Sequence, residues 1–349
     1  MNTVVLQTKG LRQKWGMDML QFKHVIGHEQ VIAHLQNAIR MDKVSHAYLI
    51  SGEEGSGKKL LADIFAATLL CEEHGVEPCG SCKSCMQAQS DNQPDVIYVT
   101  HEKLTIGVDD IRTQVNQDIG IKPYQGKYKI YIIEDADKMT EAAQNALLKT
   151  IEEPPAYAVV ILLASKTETL LKTILSRCVL LALRPVDESK IKKLLMEQYA
   201  VPDYMAELAA AFSGGVTGRA IRFAASEDFT AHKDEVLHLV KYIEEMSVSE
   251  IMEAVKGVAA KKELADEYFD LALLWYRDVL LFKATKDPNN MIYKDEISWI
   301  KRQADTRTFE NLAEIIEAIE IFKQRIRANV NFDMALELLL LTIKENGNQ

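Results

Sequence analysis

From Phe22 onward the apolar positions fall into two alternating rhythms. Between Gln30 and Arg40, the residues Val31, Ile32, Leu35, Ala38 and Ile39 recur at helical spacing. His46 to Ile50 (HAYLI) is a short apolar run that predicts a buried strand; it enters the glycine-rich turn Gly52 to Gly57, and a helix is predicted from Lys58 to about Leu70. The rhythm then repeats. A strand at Asp95 to Thr100 (DVIYVT) is followed by a helix with Val108, Ile111 and Val115 on one face. Tyr128 to Ile133 (YKIYII) is a third strand, and a helix from Thr140 to Ile151 stops at Pro154-Pro155. Ala158 to Ala164 (AVVILLA) and Val179 to Leu183 complete five strands. Apolar strands alternating with helices predict an α/β domain whose parallel sheet is covered on both faces.

After Asp187 the strand pattern stops. Residues 187 to about 230 read as a small helical unit, broken at Val201-Pro202 and at Ser213-Gly214-Gly215. The remainder, about 233 to 343, reads as helix throughout. Leu271 to Phe282 (LALLWYRDVLLF) and Ala335 to Ile343 are apolar enough to be expected buried nearly all round. The expected domains are an N-terminal extension at 1–21, an α/β domain at 22–185, a small helical domain at 186–232 and an all-helical domain at 233–349. Met17 and Met19 are alternative starts.

Composition narrows the class. A chain of 349 residues with 48% hydrophobic and 26% charged residues is expected to build a packed core. A net charge of −10 argues against a chain that coats DNA by itself, because such domains are usually basic. There is no apolar run of membrane-spanning length and no signal-peptide core near Lys9, Arg12 and Lys14, so a cytoplasmic location is expected.

The turn after the first strand carries chemistry. Gly52-Glu53-Glu54-Gly55-Ser56-Gly57-Lys58 fits G-x-x-x-x-G-K between a strand and a helix. Its glycines let backbone N–H groups curl around phosphates, and Lys58 would reach the outer ones. The next position normally supplies a Ser or Thr hydroxyl to magnesium. Here it is Lys59, whose ammonium cannot ligate a cation. The third strand ends in Glu134-Asp135, where ATPases of this type place Asp and then Glu. Efficient ATP turnover is therefore not expected. The loop remains compatible with nucleotide bound without hydrolysis and with an inherited turn that holds nothing. Asp137 reads as a cap for the following helix.

Cys71, Cys79, Cys82 and Cys85 are spaced C-x7-C-x2-C-x2-C, with a fifth cysteine apart at Cys178. Four clustered thiols in a cytoplasmic chain read as a closed, structural zinc site before disulfides, with His74 a solvated bystander. Two arginines are candidates for phosphate chemistry. Arg177, in Ser176-Arg177-Cys178 before the last strand, reads alone as a surface charge. In a ring of ATPase-like subunits it could reach a neighbour's γ-phosphate. Arg219, in Gly218-Arg219-Ala220, would face the phosphate loop from the small helical domain.

Several segments together carry a family likeness: Val25-Ile26-Gly27-His28, Ser45-His46-Ala47, Glu77-Pro78-Cys79-Gly80-Ser81-Cys82 and Tyr128 to Ile133. Asn145 to Pro155 (NALLKTIEEPP) and Thr173 to Cys178 (TILSRC) extend it. The chain resembles the clamp-loader ATPase family of bacterial DNA polymerase III, of AAA+ type, and within it the stator kind of subunit. The likeness is strong over about 22 to 230. It is looser at Trp275-Tyr276-Arg277-Asp278 and Asn329-Val330-Asn331. It implies that Arg177 is an arginine finger acting in trans, that Arg219 is the lid sensor, that Ser165 lies near the first sensor position, and that the last helices form an oligomeric collar. It also implies partners: gamma/tau motor and delta subunits, the sliding clamp transiently, and primer–template DNA through the complex. Lys59 and Glu134-Asp135 depart from the motor pattern. The alternatives are the gamma/tau-type motor itself and a small-molecule kinase, which would leave the cysteines and the helical third domain unexplained.

Overall fold

The computed structural model describes residues 20–101, 103–225, 229–262, 265–289, 291–328 and 330–347. The expected extension at 1–21 lies almost wholly outside these residues, as do both alternative starts and Asn329. The chain divides into two compact units, one running to Ile221 and the other beginning at Arg222.

The first unit holds five strands: β1 Ala47–Ser51, β2 Val96–Val99, β3 Lys129–Ile133, β4 Ala158–Ala164 and β5 Val179–Ala182. They form one sheet in the order β2-β3-β4-β1-β5, and every pair is parallel. Side chains alternate between its two faces. Ala47, Leu49, Tyr131 and Ile133 enter one hydrophobic cluster, while Tyr48, Ile50, Ile130 and Ile132 enter the other. Burial on both faces is why β1, β3 and β4 are continuous apolar runs, whereas the edge strand β5 leaves Leu180 and Ala182 exposed.

The helices of this unit are α1 Glu29–Arg40, α2 Lys58–Leu69, α3 Lys83–Gln89, α4 Val108–Ile111, α5 Glu141–Glu152, α6 Lys172–Leu175, α7 Glu188–Tyr199 and α8 Asp203–Phe212. The helix α9 Thr217–Ala225 begins in it. α2 is buried without a break from Leu61 to Leu69, so its small residues Ala62, Ala66 and Ala67 let it lie close against the sheet. α5 is capped by Thr140, whose side chain accepts from the Ala143 N–H. The expected cap, Asp137, instead accepts from the Ser165 N–H at 3.2 Å, because a tertiary donor at the end of β4 lies within its reach.

The second unit is helical: α10 Phe229–Tyr242, α11 Val248–Ala259, α12 Ala265–Thr285, α13 Ile297–Thr306, α14 Phe309–Arg327 and α15 Phe332–Glu345. Trp275 is fully buried in α12; its indole N–H donates to Gln303 Oε1 at 2.8 Å, and Gln303 Nε2 donates to the Val240 carbonyl at 2.8 Å. Asp278, also buried, accepts from the N–H groups of Ile292 and Tyr293 at 2.7 and 2.8 Å. These polar ties keep one register in an otherwise apolar bundle. α15 departs from the expected all-round burial: Met334 and Leu338 are exposed on one side, while Leu336, Leu339 and Leu340 face inward. Among the described residues, no helix is long and apolar enough to cross a membrane.

Candidate nucleotide and metal sites

The phosphate loop joins β1 to α2. Gly55 and Gly57 take φ values of +86° and +96°, left-handed conformations that favour glycine. Lys58 Nζ curls back and donates to the carbonyls of Gly52 at 2.6 Å and Glu53 at 2.9 Å, and to Ser165 Oγ at 3.1 Å. Burial lowers the Lys58 pKa, while Asp137, Asp135, Glu54 and Glu53 oppose the shift. Ser165 thus stands against the loop lysine, held from behind by Asp137.

Lys59 points towards the end of β3. Its ammonium pairs with the Glu134 carboxylate and lies over the Tyr98 ring, 4.7 Å from the centroid. The Tyr98 hydroxyl donates to Asp63 Oδ1 at 2.9 Å, which fixes the ring. The second acid, Asp135, takes φ +51° and pairs with Lys138 at 2.8 Å. Each of the two carboxylates therefore already has a cation. A divalent ion at this place would have to displace the Lys59 ammonium from Glu134, so the residues present do not fit magnesium.

Arg219 comes to the same loop from the start of α9. Its guanidinium lies 3.7 Å from the Glu53 carboxylate, and the Gly218 N–H donates to the Gly55 carbonyl at 2.9 Å. A Cβ at Gly218 would stand 2.6 Å from that carbonyl oxygen, so only glycine permits the approach. His28 closes another side, with Nε2 3.3 Å from the Ser56 carbonyl; burial lowers its pKa. Gly52, Gly55, Ser56, Gly57, Lys58, Lys59, Arg219 and Ser165 are thereby assembled around one loop.

Arg177 stands apart from them. It lies between α6 and β5. It donates to the Thr173 carbonyl at 3.1 Å and Ser176 Oγ at 3.3 Å, and pairs with Glu152, the last residue of α5, at 3.0 Å. All three partners come from its own corner of the fold. The guanidinium stays partly exposed, held by groups that a stronger anion could replace.

The four cysteines converge. Their sulfurs all lie within 4.8 Å of one another, with Cys79 and Cys85 3.9 Å apart. Backbone N–H groups turn onto them: Cys79 to Cys71 Sγ at 3.4 Å, Cys82 to Cys79 Sγ at 3.3 Å and Cys85 to Cys82 Sγ at 3.4 Å. Donors from Cys82 and Ser81 bring the Cys79 thiol down to about 6, while burial raises those of Cys71 and Cys85. Four sulfurs gathered this closely, with N–H donors turned onto them, could hold a metal ion. His74 is exposed and outside this group.

Three residues of consequence carried no sequence signal of their own. Tyr98 reads as an ordinary strand aromatic. Glu77 and Glu152 sit inside recognisable segments, but their partners come from distant parts of the chain.

Comparisons with known proteins place the chain in a family. A family model described as DNA polymerase III, delta subunit, matches residues 27–187. The delta' subunit of DNA polymerase III from Bacillus subtilis is 32% identical over 319 residues, covering 90% of this chain and 96% of that protein. The tau subunit of the same organism is 30% identical over 327 residues, and this chain spans 56% of its length. A solved DNA polymerase III gamma subunit-related protein from Thermotoga maritima aligns over 90% of the chain at 20% identity with a TM-score of 0.41.

Proposed function

Starting from the fact that this chain belongs to the delta-prime family of DNA polymerase III subunits, we propose that it is the stator of a clamp loader. It completes a neighbour's ATP site and supports loading of the sliding clamp on primed DNA. The observation that carries this reading is the ion pair between Lys59 and Glu134. It puts an ammonium where a motor subunit needs a magnesium-binding hydroxyl, and it engages the acid needed at the end of β3. The chain's own hydrolysis is then weak or absent.

Arg177 is the arginine finger in this reading. Its guanidinium exchanges Glu152 for the γ-phosphate of ATP held by the adjacent gamma/tau motor subunit. There a fixed planar cation stabilises charge that grows on the transferring phosphoryl oxygens. Arg219 serves as the lid sensor over Gly52 to Lys58, and Ser165 as the first sensor. Residues 22–185 form the ATPase-like domain, 186–232 the lid, and 233–349 a collar that joins gamma/tau and delta subunits. The exposed Met334 and Leu338 belong to that collar surface. The clamp and the primer–template DNA are met through the assembled complex, in the cytoplasm. Cys71, Cys79, Cys82 and Cys85 hold a structural zinc, which fixes the geometry of its own segment and supplies no chemistry.

A second reading, the gamma/tau motor, draws support from the 30% identity to a tau subunit. Lys59 stands against it. The deciding experiment is Arg177→Ala in a reconstituted loader. Assembly should survive while ATPase at the junction this subunit serves falls, towards the 10³-fold typical of a lost finger. Full ATPase and clamp loading in that variant would remove the finger role. Brisk magnesium-dependent turnover by the isolated chain would favour the motor instead.

A further inference from the structure

The cysteine segment reaches beyond its own four ligands. Cys71 lies two residues past the end of α2, the helix that begins at the phosphate loop. On the other side, Glu77, two residues before Cys79, is turned inward. Its Oε2 accepts from the Phe22 N–H at 2.8 Å, and its Oε1 accepts from Gln36 Nε2, on α1, at 2.9 Å. The neighbouring Pro78 carbonyl accepts from Gln21 Nε2 at 3.2 Å. Three contacts thus tie the cysteine segment to the strand of chain at 21–22 and to α1.

That strand of chain leads straight to the phosphate loop. Phe22 is buried in the core on one face of the sheet. Gly27 and His28 follow, both with left-handed backbones. A Cβ at Gly27 would meet Val186 at 2.8 Å, and the Val186 N–H donates to Gly215 in the turn before α9. His28 Nε2 rests on the Ser56 carbonyl, and Glu29 pairs with Lys190 of α7 at 2.6 Å. Residues 21–29 therefore form a strap. One end is fastened to the cysteine segment, and the other touches the phosphate loop, α7 and, through Val186, the turn that precedes α9 and Arg219.

We propose that Glu77 is a positioning residue that carries metal occupancy of the four-cysteine site to the phosphate loop, by holding the strap 21–29 in place. Metal binding orders the chain between Cys71 and Cys85. An ordered Glu77 presents both oxygens to Phe22 and Gln36, and the held strap sets Gly27 and His28 against the loop and the Gly215 turn. Without the metal, the carboxylate is held across from these donors only by its own hydrogen bonds and the Gln21–Pro78 contact. The proposal does not depend on the stator reading, because it concerns this chain alone.

The test is hydrogen exchange on the full chain, with metal content measured in parallel. Glu77→Ala should keep one metal per chain, yet exchange faster at the Phe22 amide by about tenfold or more, as expected for a lost hydrogen bond to a charged acceptor. The acceleration should extend through 27–28 to the loop amides at 55–57. Gln36→Met, which removes one of the two partners, should show a smaller effect over the same residues. Chelator-stripped wild type should accelerate these segments too, and stripping Glu77→Ala should add nothing further at 22–28. The proposal is overturned if metal-loaded Glu77→Ala exchanges like wild type at 22–28. It is equally overturned if the change stops at Phe22, or if stripping the metal loosens residues 71–89 alone.

Discussion

The ammonium of Lys59 and the carboxylate of Glu134 neutralise each other across the opening between α2 and β3. In the stator reading one residue takes the cation's place and the other is engaged by it, so that a single contact would remove two parts of a hydrolytic site. Restoring one part should not be enough. Lys59→Thr should leave ATP turnover by the isolated chain far below that of Lys59→Thr combined with Glu134→Asp and Asp135→Glu. Misplacing a catalytic carboxylate by about 1 Å costs on the order of a hundredfold. Steady-state ATPase of the two variants checks this, and equal rates would show that the order of the acids is immaterial.

Arg177 and Glu152 form a pair at the surface, so their separation should cost little. Glu152→Gln should change unfolding free energy by less than about 1 kcal/mol, as exposed pairs do, and should leave assembly intact. In the loader it should preserve ATPase, because the guanidinium is released rather than lost. Denaturant melts and turnover measured on the same preparation decide this; loss of turnover equal to that of Arg177→Ala would show that Glu152 itself is needed.

The five cysteines should separate by reactivity. In the metal-loaded chain the four clustered thiolates are withheld from alkylation. Burial holds the Cys178 thiol up at about 11, so at pH 8 its thiolate is on the order of a thousandth of the total. Chelation should expose four fast-reacting thiols and lower thermal stability, and alkylation at Cys178 should quicken about tenfold per pH unit below its pKa. Mass-resolved labelling counts the sites, and four fast thiols before chelation would argue against a metal-bound cluster.

Burial also raises the Asp278 pKa, against the opposing pull of the Tyr293 and Ile292 N–H groups and of Arg277. A carboxyl raised in the folded state ionises less readily there than in the unfolded chain. Its ionisation therefore subtracts stability as pH climbs from the ordinary carboxylate range up to the raised folded value, and the loss levels off above it. Asp278→Asn keeps an oxygen for the two N–H donors and removes that loss. It should gain on wild type at pH 7 relative to pH 3 in denaturant unfolding. A difference independent of pH would mean that the carboxyl is not shifted.

Much of the first unit could be read from the chain alone, because buried parallel strands must be apolar runs. Each of the five strands begins and ends within a residue of its expected limits. The cysteine spacing and the glycine turn were legible for the same reason: their geometry is local. What escaped was tertiary. Lys59 meets an acid 75 residues away and Glu77 a backbone N–H 55 residues away, and no local spacing encodes such meetings. Asp137 has the propensity of a cap, but that is a local preference, and the Ser165 N–H takes its carboxylate while Thr140 caps the helix. In α15 the apolar count hid the direction of Met334 and Leu338, since composition does not say which side of a helix has company.

The meeting of Gly55 with Gly218 leaves less room than one methyl group would need. Seating depth between the β1–α2 turn and α9 is therefore gauged by two hydrogen atoms where other residues carry carbon. Alanine at 218 would be a spacer of known thickness, prising Arg219 away from the turn by a fraction of an ångström while leaving its charge untouched. The same pair of residues thus offers a mechanical adjustment, separable from electrostatics, for setting how closely α9 seats on the phosphate loop.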